Sequence, residues 1–238
     1  MLGAHAYMLA LCSTAGAAPG GASSAWDRPP PRAVDATIPV AARRFQAALR
    51  SGAQLPWGEA SDAQGDELSA RYGWQVPILL DAGFKLGKPW LVGVYGGGAY
   101  GSIGSGNVAE AACAVEGVSC STLSYQVGLQ VQYHFGPSDR LNPWLGLGGG
   151  YEWFRQELDG AQYAEVQETS GLTLLKLVVG LDYRQSQLFG FGPFAEVSLG
   201  RFQTTRTFVN GDEAHEGPVE PGAWHGFLTL GARLVVLP

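Results

Sequence analysis

From residue 45 onward the chain alternates apolar and polar residues over segment after segment. A period of two puts every second side chain on the same face of a strand, so each of these segments predicts a β-strand with one apolar face. Over 45–57, Phe45, Ala47, Leu49, Ser51, Ala53, Leu55 and Trp57 stand opposite Gln46, Arg50 and Gln54. Over 72–86, Tyr72, Trp74, Val76, Ile78, Leu80 and Phe84 stand opposite Gln75, Asp81 and Lys85. The run 90–100 is rich in glycine and ambiguous about its faces. The clearest alternation is 123–135, where Leu123, Tyr125, Val127, Leu129, Val131 and Tyr133 interleave with Ser124, Gln126, Gly128, Gln130, Gln132 and His134. Four further runs, 145–153, 175–183, 195–199 and 224–236, follow the same rule. The chain therefore predicts eight strands. Most of them outrun the roughly five or six residues of soluble sheets and the roughly 9–11 that a tilted strand needs to cross a bilayer.

The connections alternate in length. Those at 88–89, 136–142 and 185–190 are short, whereas 58–69, 103–121, 156–168 and 207–222 are long. Short turns at one end and long loops at the other mark a transmembrane barrel, and an even strand count closes it without an unpaired edge. Aromatic residues on the apolar faces gather at the strand ends. Trp57, Tyr72, Trp74, Tyr125, Tyr151, Trp153 and Trp224 lie toward the long loops; Phe45, Phe84, Trp90, Tyr133, Phe135 and Tyr183 lie toward the short turns. Two such girdles with aliphatic residues between them suit the two interfaces of a membrane. The predicted fold is all-β, an eight-stranded antiparallel up-and-down transmembrane β-barrel.

Composition supports this picture. The 238 residues include 35 Gly, 11% aromatic and only 15% charged residues, with a mean hydropathy of +0.02 and no long apolar run. Alternation accounts for this, because it dilutes local hydropathy while building a continuous apolar face. Residues 1–25 read as a signal peptide, with an apolar stretch at 6–11 and the small-x-small sequence Ala15-Gly16-Ala17, although no Lys or Arg precedes the stretch. Residues 26–42, with Pro29-Pro30-Pro31, read as an extended linker, and 43–238 as the barrel. Without Cys12 the exported chain keeps Cys113 and Cys120, an even pair in a small, polar segment that predicts a loop disulfide. The net charge of −6 and the absence of a basic patch argue against nucleic-acid binding.

Over 43–238 the chain resembles the small eight-stranded outer-membrane barrel proteins of Gram-negative bacteria, of the outer-membrane protein A, X and W type. The resemblance rests on the architecture and on local sequence such as Val76-Pro77-Ile78-Leu79-Leu80-Asp81-Ala82-Gly83-Phe84 running into a short Gly-Lys-Pro turn. The last strand departs from that type, ending Val235-Val236-Leu237-Pro238 where an aromatic is usual. The resemblance implies a monomer in the bacterial outer membrane, a linker on the periplasmic side, long loops outside, and lipids, lipopolysaccharide and the barrel-assembly machinery as partners.

If the apolar face meets lipid, the other face lines the lumen. It carries Arg50, Asp81, Lys85, Glu152, Lys176, Asp182, Arg184, Glu196 and Arg233. An eight-stranded lumen is just wide enough for side chains to fill, so these groups are expected to pair into a plug, and a narrow pore is the alternative. His134 and His225 fall on the same lumen face, where hydrogen bonding within that network is expected. The inward glycines Gly128, Gly146, Gly148 and Gly150 argue for some residual cavity. The long segments hold 14 of the 21 acids and no Lys or Arg. Within this rim Asp62, Asp66, Glu67, Asp212, Glu213 and Glu216 are candidates for holding divalent cations that bridge to lipopolysaccharide phosphates, although no ordered calcium motif is present. No cofactor is expected. His215 among Asp212, Glu213 and Glu216 is the one His-acid cluster that a barrel hydrolase could use, but no Gly-x-Ser-x-Gly elbow accompanies it, and the chain does not read as an enzyme. The leading expectation is a structural, envelope-integrity or adhesion role with acidic loops outside; the alternative is a narrow porin-like channel for small or apolar solutes.

Overall fold

The computed structural model describes residues 44–60, 67–105, 108–160, 163–219 and 223–237. The leader and linker expected over 1–42 lie outside the described residues, as do Asp62, Asp66 and Glu220. The strands are β1 (Phe45–Gly58), β2 (Tyr72–Leu86), β3 (Trp90–Ile103), β4 (Ser119–His134), β5 (Leu141–Gly160), β6 (Tyr163–Arg184), β7 (Phe189–Val209), β8 (Asp212–Pro218) and β9 (Trp224–Val236). Two short helices, α1 (Leu68–Arg71) and α2 (Val108–Cys113), sit in the first two long connections.

Every pairing is antiparallel. Strands β1 to β7 each pair with the next, and β9 pairs with both β7 and β1, so eight strands close into a ring with β8 as a side branch on β7. The closing seam runs in register from Ala47 opposite Val236 to Gly58 opposite His225. All eight predicted strands are present, in the predicted order.

The alternation sorts as expected, with apolar residues outside. Leu129 is 70% exposed, and Ile78, Leu80, Val94, Leu147 and Leu230 are likewise exposed along the middle of the wall. Such a surface is stable only against lipid. Aromatic pairs ring the short-turn end, including Phe45 on Phe84, Trp90 on Tyr133 and Tyr183 on Phe191. Tyr72 departs from the predicted girdle and is buried inside the barrel. An irregularity in the β2–β3 register between Tyr72 and Gln75 shifts the alternation by one residue, which carries Tyr72 to the opposite face from Trp74.

Two of the long segments are more ordered than loops. Strands β5, β6 and β7 run to 20, 22 and 21 residues, about ten beyond what a bilayer crossing requires, so the expected loop at 156–168 is largely the continuation of the β5–β6 hairpin. The segment 207–222 folds back as β8 through Asn210 and Gly211, both at positive φ, as a two-residue hairpin turn demands. In the second connection a Cys113–Cys120 disulfide ties the end of α2 to the start of β4, with the Cα atoms 5.9 Å apart.

The glycine-rich runs leave no corresponding cavity. Tyr95 points inward, and a Cβ on Gly128 or Gly150 would lie 2.6 or 2.9 Å from its ring or hydroxyl, with Gly148 also against the ring. The Trp144 ring likewise covers Gly146 and Gly180. Large rings lie flat against the wall at these glycines, and at Gly128, Gly148 and Gly150 the backbone of the neighbouring strand also leaves no room for a Cβ.

Two outcomes test these faces. Leu129→Arg lowers stability by about 2–4 kcal/mol in lipid vesicles, the cost of an outward charge near the midplane; a neutral result in urea titrations would mean that this face does not meet lipid. Gly180→Ala costs about 1–3 kcal/mol by overpacking against Trp144, and the same titration finds most of that loss removed in a Trp144→Leu background.

Candidate functional site

The nine residues expected in the lumen come from six different strands, and the ring turns eight of their side chains into a buried column. Its centre is one connected ion-pair cluster. Arg50 on β1 holds Asp81 on β2 in a bidentate pair, Nε to Oδ2 at 2.8 Å and Nη2 to Oδ1 at 2.9 Å. Its Nη1 also donates to Oε2 of Glu196 on β7, whose Oε1 accepts from Lys176 Nζ on β6 at 2.9 Å. Lys176 Nζ donates further to Gln126 Oε1 at 2.8 Å and sits 3.9 Å from the centroid of the Tyr95 ring. All four charged residues are at most 4% exposed, and two cations balance two anions. Buried charges are tolerable only when paired and hydrogen-bonded in this way.

Toward the long-loop end, Glu152 pairs with His225 and accepts a hydrogen bond from Thr173 Oγ1 at 2.9 Å. His225 stacks on Phe202 at 3.7 Å, and above it Tyr72, Phe154, Phe202 and Phe227 pack with Leu68 of α1 and Ala60 into an apolar cap. A void of about 10 Å³, bordered by Gln54, Gln126, Glu152 and Phe227, lies between cap and cluster. That is room for about one water molecule.

Toward the short turns, Arg233 reaches Asp182 at 3.4 Å and Gln132 at 2.9 Å, with its guanidinium 4.0 Å from the centroid of the Trp144 ring. Trp144 Nε1 donates to the other oxygen of Asp182 at 3.1 Å, and Asn142 Nδ2 lies 2.8 Å from His134 Nδ1. Arg184 and Lys85 do not join the network. Arg184 donates to the Pro137 carbonyl, and Lys85 stands half-buried without a carboxylate partner among the described residues. Sequence alone did not single out Tyr95, Trp144 or the aromatic cap as lumen residues.

The outer rim is less uniformly acidic than its sequence. Arg155 and Arg206 lie just below the acidic segments and turn toward them. Arg155 lies 3.6 Å from Glu157 and 3.5 Å from Glu168, while Arg206 lies 2.6 Å from Glu216, whose hydrogen bond and charge raise the Arg206 pKa above its ordinary value. Glu67 forms an isolated bridge with Glu59, and Asp212 and Glu213 are exposed on β8. Among the described residues no group of three or more His, Cys, Asp or Glu side chains gathers as a metal site would require. His215 is exposed opposite Thr207, and Glu216, its neighbour along the strand, is engaged by Arg206.

No protein-family model matches the sequence, and no curated protein matches it. Solved structures do match its fold. Neisserial surface protein A is 11% identical, with 82% of this chain and 97% of that one covered and a TM-score of 0.51. A major outer membrane protein from Thermus thermophilus is 15% identical, with 80% and 99% covered and a TM-score of 0.53. Together with the lipid-type outer face, these likenesses give the chain the fold of the small eight-stranded outer-membrane β-barrels.

Proposed function

We propose that the protein is a passive outer-membrane barrel that serves envelope integrity or adhesion by holding rigid, charged β-hairpins outside the cell. The single observation that carries this reading is the filled lumen. From the Arg50–Asp81–Glu196–Lys176 cluster to the Tyr72–Phe154–Phe202–Phe227 cap, paired charges and stacked rings occupy the space that a pore would need. The excess strand length goes outward into the β5–β6 and β7–β8 hairpins, which suits a platform that presents a surface better than one that passes solute. The chain acts as a monomer, surrounded by lipid and lipopolysaccharide, and is inserted by the barrel-assembly machinery. Divalent cations at the acidic rim belong to the same reading, as a bridge between Asp212 or Glu213 and lipopolysaccharide phosphates. No cofactor and no catalysis enter it; Glu216, the acid next to exposed His215, is engaged by Arg206.

Planar-bilayer recording tests the filled lumen. Wild-type protein gives no steady conductance. Steady wild-type conductance that changes with Glu196→Gln would replace this reading with the channel.

A further inference from the structure

One sizeable concavity is on the outside of the barrel. A cleft of about 720 Å³ opens on the outer wall where β4 to β8 rise past the long-loop girdle. That volume is typical of a small-ligand site, which runs to about 300–1,000 Å³. Its residues lie on successive rungs of the sheet. The lower rung runs Tyr125, Trp153, Ser170, Thr204 across β4 to β7, and the rung above it runs Arg155, Glu168, Arg206, Glu216 across β5 to β8. Tyr151 lies below, its ring 4.6 Å from that of Trp153 and its hydroxyl donating to Ser170 Oγ at 3.1 Å. Register irregularities at Ser170/Gly171 and Thr173/Leu175 interrupt the β6–β7 pairing here, and such bulges bend a strand and hollow its face.

The chemistry of the two rungs is specific. Aromatic faces form the lower part, and hydroxyls with planar charged groups form the upper. Each guanidinium already faces a carboxylate, Arg155 with Glu168 and Arg206 with Glu216, so the upper rung is close to neutral while still offering both donors and acceptors. A phosphate would meet Glu168 and Glu216 as like charges. A neutral polyol fits, because the apolar face of a sugar ring packs on aromatic rings and its hydroxyls both donate and accept. The floor continues downward into the lipid-facing residues Leu172 and Val127, which pair on the rung of Tyr151. An occupant with a hydrocarbon tail would therefore lie along the wall beneath its own head group.

We propose that this cleft binds the neutral saccharide head group of an outer-leaflet glycolipid, with the tail against the barrel wall. The inference rests on the membrane placement of the wall and is independent of whether the lumen conducts.

Nuclear magnetic resonance of the folded protein in dodecylphosphocholine micelles tests it, with dodecyl maltoside as the probe. The readout is the indole N–H signal of Trp153, assigned by its loss in Trp153→Phe and compared with those of Trp57, Trp74 and Trp224. A saturable shift confined to Trp153 is expected. Thr204→Leu, which fills the cleft and leaves the charges in place, weakens binding about tenfold or more, and Arg206→Gln weakens it by a similar factor, as loss of a hydrogen bond to a charged group does. A heat-modifiable gel shift identifies which variants still fold, and either folded variant suffices. A larger Trp153 response to dodecyl phosphate than to the maltoside would overturn the proposal in favour of an anion site. An equal response to free maltose would overturn the glycolipid assignment, and a shift shared by all four indoles would overturn the site itself.

Discussion

In a bilayer no backbone donor or acceptor can be left to water, and that constraint fixes this structure. A sheet can meet it only by closing on itself, and closure here falls to the β1–β9 seam, twelve residue pairs long. Eight strands in the ring then set the diameter, and the diameter sets the problem inside. A lumen of this width is too narrow to leave comfortably wet and too polar to pack as an ordinary core.

The interior resolves that problem in layers. Complementary charges neutralise one another at the centre, and rings and glycines interlock around them. Tyr95 fits because β4 and β5 place glycine where its ring lies, and Lys176 then rests on that same ring. Glu152 and His225 lie between the charged centre and the apolar cap, with His225 pairing with the acid while stacking on Phe202. The outer face is governed by a different solvent, and so its sequence follows different rules. The chain alternates between the two faces residue by residue, and this is why its mean hydropathy is unremarkable.

That alternation made the barrel legible in the sequence. Eight strands, their order and the sides of the connections all follow from period-two runs and loop lengths, and eight of the nine charges assigned to the lumen are buried. The parts that did not follow have physical causes. Tyr72 sits beyond an irregularity that shifts the parity of its strand, which composition cannot report. Tyr95 lies among glycines, where neither face is marked by side chains, though the facing Gly128 and Gly150 were a signal that a large ring needed room. The β8 hairpin carried the strongest short-range turn signal, Asn210-Gly211, inside a segment whose charge made it look like a loop. Lys85 and Arg184 share the inward face with the network but sit at its short-turn end, where neither forms an ion pair among the described residues; parity places a residue on a face but does not supply a partner.

Past the long-loop girdle the same strands continue as hairpins, so that end of the barrel is an extension of the wall rather than a set of independent loops. Closure is what everything else presupposes. The most direct test is the set of backbone nuclear Overhauser contacts across the seam, at pairs such as Leu49 with Leu234 and Ala53 with Leu230. A closed barrel gives these cross-peaks, with amide exchange along β1 and β9 as slow as in β3 and β4. Their absence, with fast exchange along β1 and β9, would contradict closure and the filled lumen that depends on it.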